Sequence, residues 1–174
     1  MWLLIIAFVV ILMFGLVVFS GSPYVPSRKE YIKQALTELC PISSSDLLVD
    51  IGSGDGVVLR EAAKLGARAV GYEINPILVL ISQFLSGKYD LVSVRLANFW
   101  LEKIPDNTTV IYVFSVTRDI KSIIKKIQKE TNRLGHQIRV ISYGSEFKGV
   151  EHLKDVGGYH LYVFYPLQSD KAQV

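Results

Sequence analysis

The 174-residue chain contains a single cysteine, Cys40, which rules out an internal disulfide and suits a reducing compartment. Histidine is scarce as well. His136, His152 and His160 lie far apart in sequence, with no cysteine pair and no metal-ligand spacing, so no metal site is expected. Internal repeats and low-complexity tracts are absent, which sets aside solenoid and disordered architectures. Net charge is only +3, too diffuse to point to nucleic acid and suited to a domain resting against anionic headgroups.

Charge is missing altogether from the first stretch. "MWLLIIAFVVILMFGLVVF", Met1 to Phe19, carries no ionisable side chain. Twenty helical residues cover roughly 30 Å, about the thickness of a bilayer's hydrocarbon core. A cleaved leader would carry a basic flank and a shorter apolar centre. A core helix would show a polar stripe. Residues 1–20 are therefore expected to be an uncleaved transmembrane anchor. Arg28, Lys29 and Lys33 follow the span and no basic residue precedes it, so the rest of the chain is expected on the cytosolic or equivalent side.

After the anchor, 21–45 reads as a linker plus a first helix, beginning near Ser27 with Glu30 placed for a capping box and ending before Pro41. Residues 46–167 alternate strand and helix. Leu47 to Ile51 is a continuous apolar run typical of a buried parallel strand. Val57 to Leu65 is a helix stopped at Gly66, and Ala69 to Glu73 a second strand. Pro76 opens "PILVLISQFLS", too short to span a membrane and so expected to be a core helix between layers. Strands over Leu91–Ala97, Thr108–Val116 and Gln137–Tyr143 follow, with an amphipathic helix over Asp119–Leu134 whose lysines 121, 125, 126 and 129 face water. Gly157-Gly158 joins two final strands as a hairpin, and 168–174 is a loose polar tail. This order predicts a three-layer Rossmann-like α/β domain with a mostly parallel sheet and an antiparallel C-terminal hairpin. Its ligand is expected beyond the carboxyl ends of the strands.

The first strand ends in "DIGSGDG", Asp50 to Gly56. A dinucleotide site wants G-x-G-x-x-G, but position 57 is Val; a phosphate-cradling loop wants G-K-[ST], but no lysine is present. Asp50 and Asp55 would both repel a pyrophosphate drawn to the following helix N-terminus. An adenosine ligand that is cationic and lacks phosphate resolves the conflict, and S-adenosylmethionine is such a ligand. Glu73, at the end of the second strand, can accept from both ribose hydroxyls. Asn98 can accept from an adenine amino group, with Phe99 covering the ring. The expected cofactor contacts are thus Asp50, Ile51, Gly52, Ser53, Gly54, Asp55, Gly56, Glu73, Ile74, Asn75, Asn98 and Phe99.

D-x-G-x-G-x-G at Asp50 to Gly56 resembles the first motif of class I S-adenosylmethionine-dependent methyltransferases, with Glu73 standing in their second motif. "PYVPS" at Pro23 to Ser27, "VDIGSGDG" at Val49 to Gly56 and "GYEINP" at Gly71 to Pro76 resemble the small membrane-anchored lysine methyltransferases that modify mitochondrial carriers and ATP synthase. That resemblance implies a loop holding the methionine part, an acid on the ribose, and a lysine of a membrane protein as acceptor. The family carries an aspartate where this chain has Asn98.

Methyl transfer requires chiefly an in-line approach at near-attack distance and exclusion of water. A lysine acceptor must first lose its proton, which a pocket of low polarity favours. No Asn-Pro-Pro-Tyr-type tetrapeptide follows the fourth strand. Phe114 and Ser115 are candidates to line the acceptor channel and Tyr24 to cover the cofactor; no firm catalytic residue is identified. Two other readings stay open: methylation of a lipid or small hydrophobic acceptor, and a non-enzymatic S-adenosylmethionine sensor.

Overall fold

The computed structural model describes residues 2, 4, 5, 28–115 and 118–167. Most of the expected anchor, Tyr24 and the tail lie outside the described residues. Among the described residues no helix is long and apolar enough to cross a membrane.

Helix α1, Lys29–Gln34, runs directly into a π-helical turn, Ala35–Leu39. Its N-cap is Arg28 in extended backbone, with no side-chain cap; Ser27, the anticipated capping residue, lies outside the described residues. The wide turn is closed by Cys40 N donating to Ala35 O at 2.9 Å. It keeps Ile32, Ala35, Leu36, Leu39 and Cys40 on one buried face. This segment, expected to belong partly to a linker, is part of the domain's core. Burial pushes the Cys40 thiol up, which keeps it protonated and unreactive.

Strand β1 (Leu47–Ile51) is followed by α2 (Val57–Lys64), β2 (Arg68–Glu73), α3 (Pro76–Ser86), β3 (Val92–Leu96) and β4 (Val110–Ser115). Helix α4 (Ile120–Leu134), β5 (Ile138–Gly144), β6 (Lys154–Val156) and β7 (Tyr159–Phe164) complete the order. The seven strands lie as β3-β2-β1-β4-β5-β7-β6. All pairs are parallel except β5·β7 and β6·β7. The tight turn at Gly157 and Gly158, φ 56° and 83°, is the two-glycine hairpin the sequence predicts.

Right-handed crossovers send α2 and α3 to one face and α4 to the other. Alternation along β1 then divides the core. Leu48 joins Ile32, Leu36, Leu59, Tyr112 and Ile141 on the first face. Leu47 and Val49 join Tyr72, Phe99, Ile111, Ile127 and Tyr162 on the second. Helix α4 is amphipathic as expected, with Ile120, Ile123 and Ile127 turned in. Lys126 is an exception to its solvated lysines: it bonds to Glu130 at 3.0 Å and to Glu102 O, and lies over the Phe99 ring.

Helix α3 departs most from expectation. It buries Val79, Ser82 and Ser86 and turns Leu80, Ile81, Phe84 and Leu85 outward, Phe84 being 85% exposed. It covers the edge strand β3, where no further layer lies over it among the described residues. Small serines face inward because the helix approaches the glycine loop closely. A Cβ at Gly56 would stand 2.1 Å from Ser82 Oγ.

Candidate functional site

The site is built where β1 parts from its two neighbours, β2 on one side and β4 on the other, the crevice at which open α/β sheets bind ligands. Gly52, Gly54 and Gly56 carry φ of 75°, 55° and 78°, the left-handed region that only glycine enters freely. The loop is stitched to the end of β2. Gly52 N and Ser53 N donate to Tyr72 O at 2.9 and 3.1 Å. Glu73 then uses both carboxylate oxygens: Oε2 accepts from Gly54 N at 2.9 Å and Oε1 from Asn75 N at 2.8 Å. Gly71 allows this approach, since a Cβ there would lie 2.4 Å from Ser53 Oγ. At Gly52, by contrast, an added Cβ would meet nothing within 4 Å, so the loop opens onto free space.

The electrostatics of the site centre on a buried acid. Asp50 is 3% exposed. Burial, followed by the nearby Glu73 and Asp55 carboxylates, pushes its carboxyl well above the usual carboxylate range. Among the described residues it has no ion-pair partner. Asp55, expected to add to the repulsion of phosphate, is neutralised instead: its Oδ2 pairs with Arg60 at 3.3 Å and its Oδ1 accepts from Val57 N at 3.2 Å. The preference for a cation therefore rests on Asp50 and Glu73. Ser53 Oγ is also buried without a hydrogen-bond partner. A buried acid lacking a cation, an orphaned hydroxyl and open space over Gly52 fit the ammonium-bearing methionine part of S-adenosylmethionine.

The remaining expected contacts divide into two groups. Ile74, 37% exposed and next to Glu73, offers an apolar face to a ring. Ile51 and Asn75 are inward. Ile51 packs on the second core face, and Asn75 Oδ1 caps α3 by accepting from Ile77 N at 3.0 Å. Asn98 Oδ1 accepts from Trp100 N at 3.0 Å, closing the turn after β3. Phe99 is 4% exposed in the second core face, edge-on to Tyr72, so it supports the turn from below rather than offering an open ring face. Ser115 ends β4, with its backbone paired to Gly144.

The histidines, far apart in sequence, are partly united by the hairpin. His152 and His160 both contact Asp155, at 2.8 and 2.7 Å, and Glu146 reaches His152 at 3.2 Å. Their ring centroids are 5.8 Å apart. Cross-strand pairing of Asp155 with His160 causes this, a contact that sequence spacing does not reveal. Among the described residues no group of three or more His, Cys, Asp or Glu is arranged to hold a metal ion. Two features of the glycine loop escaped sequence reasoning, the clamp from Glu73 to Gly54 and the close pass at Gly71. A glycine inside strand β2 was the available signal for the second.

A protein-lysine N-methyltransferase from Saccharolobus islandicus is 31% identical over 132 residues, covering 73% of this chain and 79% of that protein. The chain belongs to the protein-lysine N-methyltransferase family. A lysine N-methyltransferase from Xenopus laevis, named for the C-subunit of ATP synthase, is 36% identical over 111 residues, 62% of this chain and 48% of that protein. The chain spans about half the length of the relatives of that name from frog and human. The fold of the chain is shared with an RNA methyltransferase from Salinibacter ruber solved with S-adenosyl-L-homocysteine. That structure has TM-score 0.70 and 24% identity over 86% of this chain and 98% of the other. No protein-family profile matches the chain.

Proposed function

We propose that the protein is an S-adenosylmethionine-dependent lysine N-methyltransferase, held at a membrane and acting on a lysine of a membrane protein. The observation that carries the reading is the glycine loop at the foot of which the buried Asp50 has no ion-pair partner among the described residues, in a chain of this family. When bound, S-adenosylmethionine supplies a methyl group on a sulfonium, ready for displacement. Asp50 would attract the cofactor's ammonium, Gly52 and Gly54 would let the backbone approach it, and Glu73 would fix the loop while accepting from the ribose. Ile74 would cover one face of the adenine. The acceptor amine arrives from the side of β4, where Phe114 and Tyr143 offer low polarity and favour its neutral form. Tyr24 and Ser115 remain the proposed cover and channel residues.

The membrane part of the proposal is supported by the uncharged run Met1 to Phe19 and by the outward apolar side of α3. The lysine of a membrane protein is supported by the relatives named for the ATP synthase C-subunit. Tethering would raise the effective concentration of enzyme at such a target. Carbonate extraction of membranes from cells expressing the full chain tests the anchor. Retention in the pellet is expected, and release to the supernatant would remove it.

The activity is tested by adding full-length protein and radiolabelled S-adenosylmethionine to membranes from cells lacking it. Asp50→Asn and Glu73→Ala serve as controls. Label on a lysine of one protein band, lost in both variants, is the expected result. Label confined to the lipid extract would replace lysine by a lipid acceptor. Cofactor binding with no label in any fraction would make the protein a sensor.

A further inference from the structure

Four aromatic rings converge at the carboxyl end of the sheet, one strand away from the glycine loop. The pairing of β1 with β4 ends at Ile51 opposite Val113, and Phe114 follows in β4 where the chain of β1 turns away into the glycine loop. Phe114 is opposite Tyr143, and Tyr143 opposite Tyr159. In-register residues of adjacent strands share a face, and strands lie about 4.8 Å apart. The row therefore leads outward from the loop in steps of about 5 Å, on the same face as Tyr112 two residues earlier in β4.

The rings touch. Phe114 and Tyr143 centroids are 5.7 Å apart, tilted 47°; Tyr143 and Tyr159 are stacked at 4.5 Å and 24°; Tyr112 and Tyr159 stand at 6.1 Å. Tyr112 and Tyr159 are each 2% exposed, while Phe114 and Tyr143 are only partly buried. Two closed rings thus back two open ones. The core requires the inner pair. The outer pair lies at the rim of that core, Tyr143 packing against it, and stays partly exposed.

We propose that Phe114 and Tyr143, backed by Tyr159, form an aromatic wall that receives the methylated ammonium of the acceptor amine. This rests on the amine-methylating reading above and adds how successive methylation states are held. The lone pair of the neutral amine forms the new N–C bond as the donor's S–C bond breaks, and that bond's electron pair stays on sulfur. The resulting ammonium gives its proton to water before another methyl can be accepted; a third transfer leaves a quaternary ammonium with no proton. Ring faces attract such a cation through their quadrupole. They do so without the ion pair that a carboxylate would form, which would hold the starting amine protonated. Each added methyl weakens the hydration of the cation and strengthens its fit to the wall, which favours passage to higher methylation states.

The test uses full-length protein saturated with S-adenosylhomocysteine and two probes measured by ligand-observed NMR. The probes are acetyl-trimethyl-lysine methylamide and its uncharged isostere, in which carbon replaces the quaternary nitrogen. Wild type is expected to prefer the charged probe by about tenfold. Tyr143→Leu and Phe114→Leu should reduce that preference to within about twofold while S-adenosylhomocysteine affinity is kept. Tyr143→Phe, which keeps the ring, should retain the preference. Equal binding of the two probes by wild type, or a preference that survives both leucine variants, overturns the wall. Failure of the lysine reading would show separately, as absence of lysine labelling by wild type in the membrane assay.

Discussion

Asp50 is the residue whose environment makes the sharpest demands. Its carboxyl is raised by burial and by Glu73 and Asp55, so the folded state holds a proton that the unfolded chain has released. Stability therefore falls as pH rises from about 4 toward the raised folded value, because over that window the folded form binds more protons. Asp50→Asn should leave the ligand-free protein at least as heat-stable as wild type at about pH 7, with the gap widening from about pH 4 upward. The same variant should weaken S-adenosylmethionine binding at least tenfold. Scanning calorimetry across pH and titration calorimetry check the two halves; a variant less stable at every pH would refute the first. Glu73 behaves differently, since both its oxygens hold backbone N–H groups. Glu73→Ala should lose about 3 kcal/mol of stability to denaturant as well as cofactor binding. The acids and glycines of this site were legible because their spacing is local. The pairing of Asp55 with Arg60 was not, since it depends on how α2 starts. Nor was the use of the Asn98 carbonyl, which Trp100 N takes up two residues away.

Among the elements, α3 shows what apolar content cannot reveal. Its bounds follow from Pro76, the Asn75 cap and Gly87. Its orientation follows from size: Ser82 passes so close to Gly56 that a larger side chain would not fit there, and the large side chains point away. A nearly all-apolar run carries no sign of which side turns inward. The inward serines leave Ser82 and Ser86 hydroxyls buried without partners. Ser86→Ala should therefore stabilise the protein by about 1 kcal/mol in denaturant titration, from the removed orphan and a better helix former. Gly56→Ala meets both the left-handed backbone and Ser82 Oγ, and should cost about 3 kcal/mol. If Gly56→Ala unfolds at the wild-type midpoint, the close approach of α3 to the loop is wrong.

Two acids elsewhere in the molecule, Asp46 beside the strand ends and Glu130 on α4, have the opposite character to Asp50. Burial acts to raise Asp46, but hydrogen bonds from Thr109 and Ser43 and the Arg139 guanidinium outweigh it and hold it low. Glu130 is held low in the same way, burial being outweighed by Lys126 and Arg133. Their contribution is complete above about pH 4 and is lost as pH falls through the lower folded values. The midpoint of thermal unfolding should thus drop steeply on acidification, and Asp46→Asn should flatten that drop while lowering stability at about pH 7. The alternation of strands and helices could be read from the sequence, and so could the hairpin. The sheet order could not be completed, because a hairpin fixes that β6 and β7 are neighbours without saying which of them borders β5. The physical answer lies in their side chains: β7 is apolar on both faces and largely buried, whereas the short β6 is polar, so β7 takes the inside and β6 the edge. That insertion governs synthesis. A ribosome delivers β7 after the other six strands, so until it emerges β5 presents an open, apolar border that no other strand of the sheet closes. The nascent domain must be kept from pairing with its neighbours until Phe164 has left the exit tunnel, and any product released before that point carries an unsealed seam.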